Sequence, residues 1–311
     1  MKKTLGNQLR RFKPLRFVIS LSHKIVLPGL HGLSLHTFIK TYFKGMGQGA
    51  FSARAGSIAF SFFMAIFPAL LFLLNLIPYV PIEGFDDKFL GFIYELMPTQ
   101  SEGFFKPIIN DIFLNQRAGL LSFTGVLALI LMANGVNAIF SGFEKSFHQE
   151  INRGFVKKYL VALGVSIILA LILVTTTVVI IYFEYLLNTL RENNLVGNRA
   201  DIVLLGIESL LFFIVMIYAV IATLYFFGTK SIKKTKFFSA GALMTTVLIM
   251  LTTYAFGIYI DNFSTYNELY GSIGALLIMM LYIWLNSNLL LLGSELNTLL
   301  NKLRQSKRDE S

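Results

Sequence analysis

The side chains able to do chemistry inside the apolar stretches of this 311-residue chain are few, and amides are prominent among them. Asn134 and Asn137 share one such run and Asn286 lies in another, with Ser61 in a third and Tyr282 one helical turn before Asn286. An amide carries two donors and an acceptor. Inside a bilayer it therefore needs a side-chain partner, water or something polar in transit. Glu184 and Glu208 fall near the ends of two further runs, Glu208 about two turns inside. No Lys or Arg is available there, so each acid must be protonated, hydrated or bonded to a hydroxyl or amide. Ser61, Asn134, Asn137, Glu208, Tyr282 and Asn286 form the candidate polar pathway or binding site. Glu184 and Glu295 are weaker candidates, because a headgroup boundary explains the first and helix-end packing explains the second.

Enzymatic constellations are a poorer match. His23, His31, His36 and His148 are scattered, without close acidic partners or zinc-ligand spacing. The sequence contains no glycine-rich phosphate loop, no nucleophile elbow and no cysteine. The expectation is a protein that is not an enzyme, with no catalytic residue, no metal and no cofactor.

The elements that would position these groups follow from composition. With 55% apolar residues, 14% charged residues and a mean hydropathy of +0.66, the chain departs from soluble domains, in which about 25% of residues are charged. The run from Gly271 to Leu292 has no charged residue and is long enough to cross a hydrocarbon core roughly 30 Å thick. Gly271, Ala275, Tyr282, Asn286, Gly293 and Asn297 share one face of that helix, which should look inward. Five more runs give approximate spans 57–77, 119–140, 159–183, 202–227 and 237–260. Of the 27 Lys and Arg residues, 22 fall in alternate connecting segments and five in the others. That is the positive-inside pattern for six spans with both termini cytoplasmic. The net charge of +10 is thus assigned to topology and anionic lipid headgroups, and nucleic acid is not expected as a partner.

The predicted fold is all-α and polytopic: a basic cytoplasmic or interfacial segment over 1–54, a six-helix membrane domain over 55–300 and a cytoplasmic tail over 301–311. The basic segment lacks a cleavable leader's pattern and holds an apolar stripe from Leu35 to Met46, read as an interfacial helix or one packed under the bundle. Pro68, in the middle of the first span, is a candidate hinge or a static kink. Two short amphipathic helices are predicted within 84–114, separated by Pro98, as a lid or a fixed cap. A polar stripe runs from Asn134 and Asn137 through Ser141 toward Lys145 and His148. Asn134 and Asn286 each follow the start of their run by 15 residues, so they should lie at similar depth. Thr245, Thr246, Thr252 and Thr253 can bond back to their own helix.

Three blocks carry a resemblance: Arg54-Ala55-Gly56-Ser57-Ile58-Ala59-Phe60 leading to Phe67-Pro68; Asn134-Gly135-Val136-Asn137-Ala138-Ile139-Phe140; and Tyr270-Gly271-Ser272-Ile273-Gly274-Ala275 followed by Leu292-Gly293-Ser294-Glu295-Leu296-Asn297. With six spans, they make the chain similar to the YihY/BrkB family, once labelled ribonuclease BN, over roughly residues 40–300. Phe60 and Phe63 stand where tyrosine-rich variants are expected. The resemblance implies a bacterial inner-membrane protein of the envelope. Members are linked to serum resistance and suspected of moving lipids or other envelope components, and no reaction comes with the name.

Two functions follow from these readings. In the first, the chain is a transporter or translocator of a lipid, envelope component or polar solute through a helix-lined cavity. In the second, it is a non-transporting scaffold or envelope-integrity protein that docks a partner, and the same polar residues merely join helices.

Overall fold

In the computed structural model the described residues are 51–76, 85–95, 102–114, 121–146, 149–150, 154–192, 198–228, 237–262 and 272–309. The segment 1–50, with its Leu35–Met46 stripe, lies outside them. So do the side chains of Glu184 and Glu208, although the backbone at both positions is helical.

The helices are α1 (Phe51–Leu76), α2 (Phe85–Glu95), α3 (Glu102–Leu114), α4 (Leu121–Glu144), α5 (Phe155–Glu192), α6 (Asn198–Gly228), α7 (Ala240–Asn262) and α8 (Ser272–Asp309). Six of them, α1 and α4 through α8, are long and apolar enough to cross a membrane. A helix closes its backbone hydrogen bonds on itself, which is why such runs can lie in hydrocarbon. Large apolar side chains such as Phe60, Phe123, Leu171, Val215, Leu251 and Leu281 are exposed on each of these helices. So much apolar surface is tolerated only where the surrounding medium is lipid. The protein is a multi-pass membrane protein.

Each spanning helix packs on its neighbour in sequence, and α8 closes back on α1, so the six form a ring. Further contacts of α4 with α6 and α8 draw α4 inward. Neighbours alternate in direction. Arg54 near the start of α1 meets the end of α4 and the later half of α8, and Lys158 near the start of α5 also meets the end of α4. The helix ends that border the Lys/Arg-rich segments therefore lie together at one end of the bundle, called here the basic end.

At the far end, α2 packs on α5 and α3 on α1. Phe89 and Ile109 are each 1% exposed and share an apolar cluster with Ile181, Met279 and Ile283. The two amphipathic helices are thus a packed cap over the spans, with Asp87, Lys106 and Asp111 on the outside. Pro68 leaves α1 unbroken to Leu76.

Several boundaries move from those predicted. α1 begins six residues before Ser57 and takes Arg54 inside the helix. α8 passes through Gly293 and the basic tail to Asp309, since the residues after Leu292 include neither proline nor a capping signal strong enough to stop it. The polar stripe does not continue on a helix past Glu144. Lys145–Ser146 instead pairs antiparallel with Gln149–Glu150, setting Lys145 opposite Glu150.

The tightest helix crossing is between α7 and α8. A Cβ on Gly293 would lie 2.8 Å from the Gly241 carbonyl and closer still to the Thr245 and Tyr225 hydroxyls. A Cβ on Gly241 would come within 2.6 Å of the Asn297 amide. Only glycine permits this approach, which is how small residues let membrane helices associate without a hydrophobic driving force. We expect Gly293→Ala and Gly241→Ala each to destabilise the detergent-solubilised protein by about 1–3 kcal/mol, as overpacking does. Gly257→Ala on the same α7, where a Cβ meets nothing within 4 Å, should be neutral or slightly stabilising in a thermal size-exclusion assay.

Candidate functional site

The basic end is held by charge. Arg54 and Glu295 are 7% and 2% exposed, and the guanidinium Nη2 lies 3.3 Å from Glu295 Oε1. Arg54 Nη1 donates to the same oxygen at 3.4 Å and to the Gly142 carbonyl at 3.0 Å. Gly142 belongs to the last turn of α4, whose carbonyls have no partner within the helix and carry the negative end of its dipole. One cation therefore answers both the acid of α8 and the open C-terminus of α4. The Phe51 ring lies 5.5 Å from the guanidinium carbon, a cation–π contact on the helix's own first turn. Ile58 and Leu291 close over Gly142, where a Cβ would meet Ile58 Cδ1 at 2.8 Å and Leu291 Cδ2 at 3.1 Å.

Beside this lock α6, α7 and α8 are joined by hydroxyls and an amide. The Tyr225 hydroxyl lies 2.7 Å from Thr245 Oγ1 and donates to the Leu290 carbonyl at 2.8 Å. Asn297 accepts from the Gly241 N–H at 2.8 Å and donates to Ser239 Oγ at 3.0 Å, while Ser239 Oγ also accepts from the Ala242 N–H. Ser239 is the N-cap of α7, and Asn297 extends the cap from the neighbouring helix. Of the four threonines read as bonding to their own helix, Thr246 does so to Ala242, whereas Thr245 and Thr253 reach across to other helices. On the other side of α4, Lys158 donates to Glu144 Oε2 at 2.9 Å and to Ser141 Oγ at 3.0 Å.

The predicted pathway residues divide between interior and exterior. Asn137 is half-buried about 8 Å along α4 from Gly142, and Asn286 is half-buried about 14 Å along α8 from Glu295. Asn286 Nδ2 donates to the Tyr282 carbonyl of its own helix at 3.0 Å, and the Tyr282 hydroxyl lies 2.8 Å from Thr253 Oγ1. Two amide oxygens, Asn137 Oδ1 and Asn286 Oδ1, are buried without a hydrogen-bond partner. Ser61 is half-buried where α1 meets α4, its carbonyl 3.7 Å from the Cβ position of Gly135. Asn134 is exposed on the outside of the bundle. It lies about 100° around α4 from Gly135, which faces α1, and about 60° from the half-buried Asn137. No hydrogen bond joins Asn134 to Asn286 among the described residues. An apolar cavity of about 410 Å³ lies between α5 and α6, lined by residues including Leu171, Thr175, Val179, Phe212 and Val215. It contains none of the predicted pathway residues.

Arg54, Gly142, Tyr225, Gly241 and Ser239 were not among the site residues read from sequence. A signal for the first was present: the Arg54 and Glu295 blocks contribute opposite charges to helix ends on the same side of the membrane.

A ring of six spanning helices, locked at one end by a buried ion pair and capped at the other by two amphipathic helices, defines a polytopic α-helical membrane protein. The chain matches the family described as Virulence factor BrkB over residues 42–311 and belongs to that family. It is 28% identical over 282 residues to the ribonuclease-like protein YfkH of Bacillus subtilis (strain 168), covering 88% of this chain and 98% of that protein. It is 26% identical to a UPF0761 membrane protein of Coxiella burnetii (strain Dugway 5J108-111), covering 78% and 84% of the two chains. A UPF0761 membrane protein of Aggregatibacter aphrophilus (strain NJ8700) is 24% identical over 87% of this chain and 94% of its own. No solved structure matches the chain.

Breaking the buried pair from one side leaves an uncompensated charge, while replacing both partners can be nearly neutral. Glu295→Leu and Arg54→Leu should each cost about 3–5 kcal/mol. The double variant Arg54→Leu/Glu295→Leu should recover most of that loss, as read by thermal unfolding of the purified protein in detergent.

Proposed function

We propose that this protein is a translocator of a lipid, envelope component or polar solute in the bacterial inner membrane, with the basic end and both termini facing the cytoplasm. The orientation rests on the concentration of Lys and Arg at that end. The observation that carries the transport reading is the pair of buried, unpartnered amide oxygens on Asn137 and Asn286. A buried acceptor left unmade costs about 1–3 kcal/mol, so two of them are a poor choice for helix glue. They suit a site where polar cargo or its water supplies the donors.

Both ends of the path are closed in this arrangement, by the Arg54–Glu295 lock with Ile58 and Leu291 and by the Phe89 and Ile109 cap. Movement of cargo then requires parting one closure at a time, and the lock is the smaller of the two. Glu208 of α6 would serve the far half of the path, and proton coupling would follow only if it titrates near neutrality. We read the chain as non-enzymatic, because its histidines are dispersed in sequence and half of the intramembrane candidates are amides. The scaffold reading keeps one observation in its favour, the exposed amide of Asn134.

The test is reconstitution in phosphatidylethanolamine and phosphatidylglycerol vesicles, reading both scrambling of a fluorescent phospholipid and uptake of small polar dyes. Wild type should move at least one probe, and Asn137→Leu and Asn286→Leu should each reduce that rate tenfold or more while eluting as folded protein. A wild type that moves no probe under imposed pH or ion gradients, and co-purifies with a stable protein partner, would establish the scaffold instead.

A further inference from the structure

Among the described side chains of α4, those exposed are Phe123, Val126, Leu127, Ile130 and Asn134. At 100° per residue they occupy one arc of the helix, directly opposite the buried face of Ala128, Val136, Ile139 and Phe143. The ridge from Phe123 to Asn134 is about 16 Å long. Four members are apolar and suited to lipid, but the fifth is not. Asn134 lies near the midpoint of the span Gly125–Glu144, about 14–15 Å from either end, where lipid tails offer nothing to its two donors and one acceptor. The same turn carries a second polar group, since the Tyr159 hydroxyl of α5 donates to the Ile130 carbonyl at 3.3 Å on the exposed side of the bundle.

We propose that this ridge is an isologous interface with a second copy of the chain, in which Asn134 meets Asn134 across a two-fold axis. The polar complementarity selects that occupant: a carboxamide presents donor and acceptor together, so it is its own partner once rotated by 180°. A lipid tail supplies neither group. With the axis along the membrane normal, Ile130, Leu127 and Phe123 then continue the contact along it as apolar packing against their own symmetry mates. The proposal does not rest on transport and would hold for a translocator or a scaffold.

The chain has no cysteine, so a single introduced thiol reports proximity without background. Disulfide formation requires Cα atoms within about 7 Å, which two-fold contact along the ridge provides. Ile130→Cys and Leu127→Cys, oxidised in native membranes, should give covalent dimers as the main product. Leu251→Cys on the outward face of α7, 59% exposed, should remain monomeric. Energy transfer between labelled copies in phosphatidylethanolamine and phosphatidylglycerol vesicles should show dimerisation weakened about 3- to 20-fold by Asn134→Leu and retained by Asn134→Gln. Absence of cross-linking at both ridge positions would overturn the interface, as would an unchanged dimer fraction in Asn134→Leu. Rapid reaction of Asn134→Cys with a membrane-impermeant thiol reagent would do the same, by showing that water covers the amide. If Asn134→Leu does not fold, the cross-linking at Ile130 and Leu127 still decides.

Discussion

Away from water a charged group must find its opposite, and this bundle is closed by one such pairing. Arg54 and Glu295 are separated by 241 positions in the chain, yet they are neighbours because α1 and α8 are the first and last members of the ring. The guanidinium also answers the Gly142 carbonyl, so a single side chain joins α1, α4 and α8 at the same level. Buried ion pairs add little net stability over well-packed apolar residues, because desolvation offsets most of the attraction. They do penalise every arrangement in which one partner is left alone. Here that penalty selects the order and level in which the ring closes.

The adjoining knot around Gly241 and Gly293 obeys the same rule with uncharged groups. Close backbone approach brings the Tyr225, Thr245, Ser239 and Asn297 side chains into mutual reach, and the hydrogen bonds they make cap the start of α7. Both devices sit at the basic end, whereas the far end is closed by apolar packing of α2 and α3. The half-buried amides of Asn137 and Asn286 lie deeper than the lock, and the Oδ1 atom of each is buried without a hydrogen-bond partner. Those two amide oxygens underlie the reading as a translocator.

Much of the architecture was legible because a bilayer imposes simple requirements on sequence. The apolar runs located all six spans, and the amphipathic pattern within 84–114 located α2 and α3. Boundaries were harder to read. Arg54 appeared to end the basic arm because a charge usually marks the membrane surface, and its partner was 241 residues away. The tail from Lys302 carries no apolar run to mark a span, yet α8 continues through it to Asp309. The polar stripe on α4 was correctly periodic, but the packing of its neighbours leaves Asn137 half-buried and Asn134 exposed.

The sequence by itself determined the membrane class, the number and order of the spans and the end at which the basic connections gather, since these depend on local hydropathy and on charge counted between runs. Tertiary structure alone decided which of two amides three residues apart is half-buried and which exposed, which glycines allow helices to touch and which acid receives the arginine. Those outcomes depend on rotation of each helix about its axis, and rotation is set by neighbours distant in sequence.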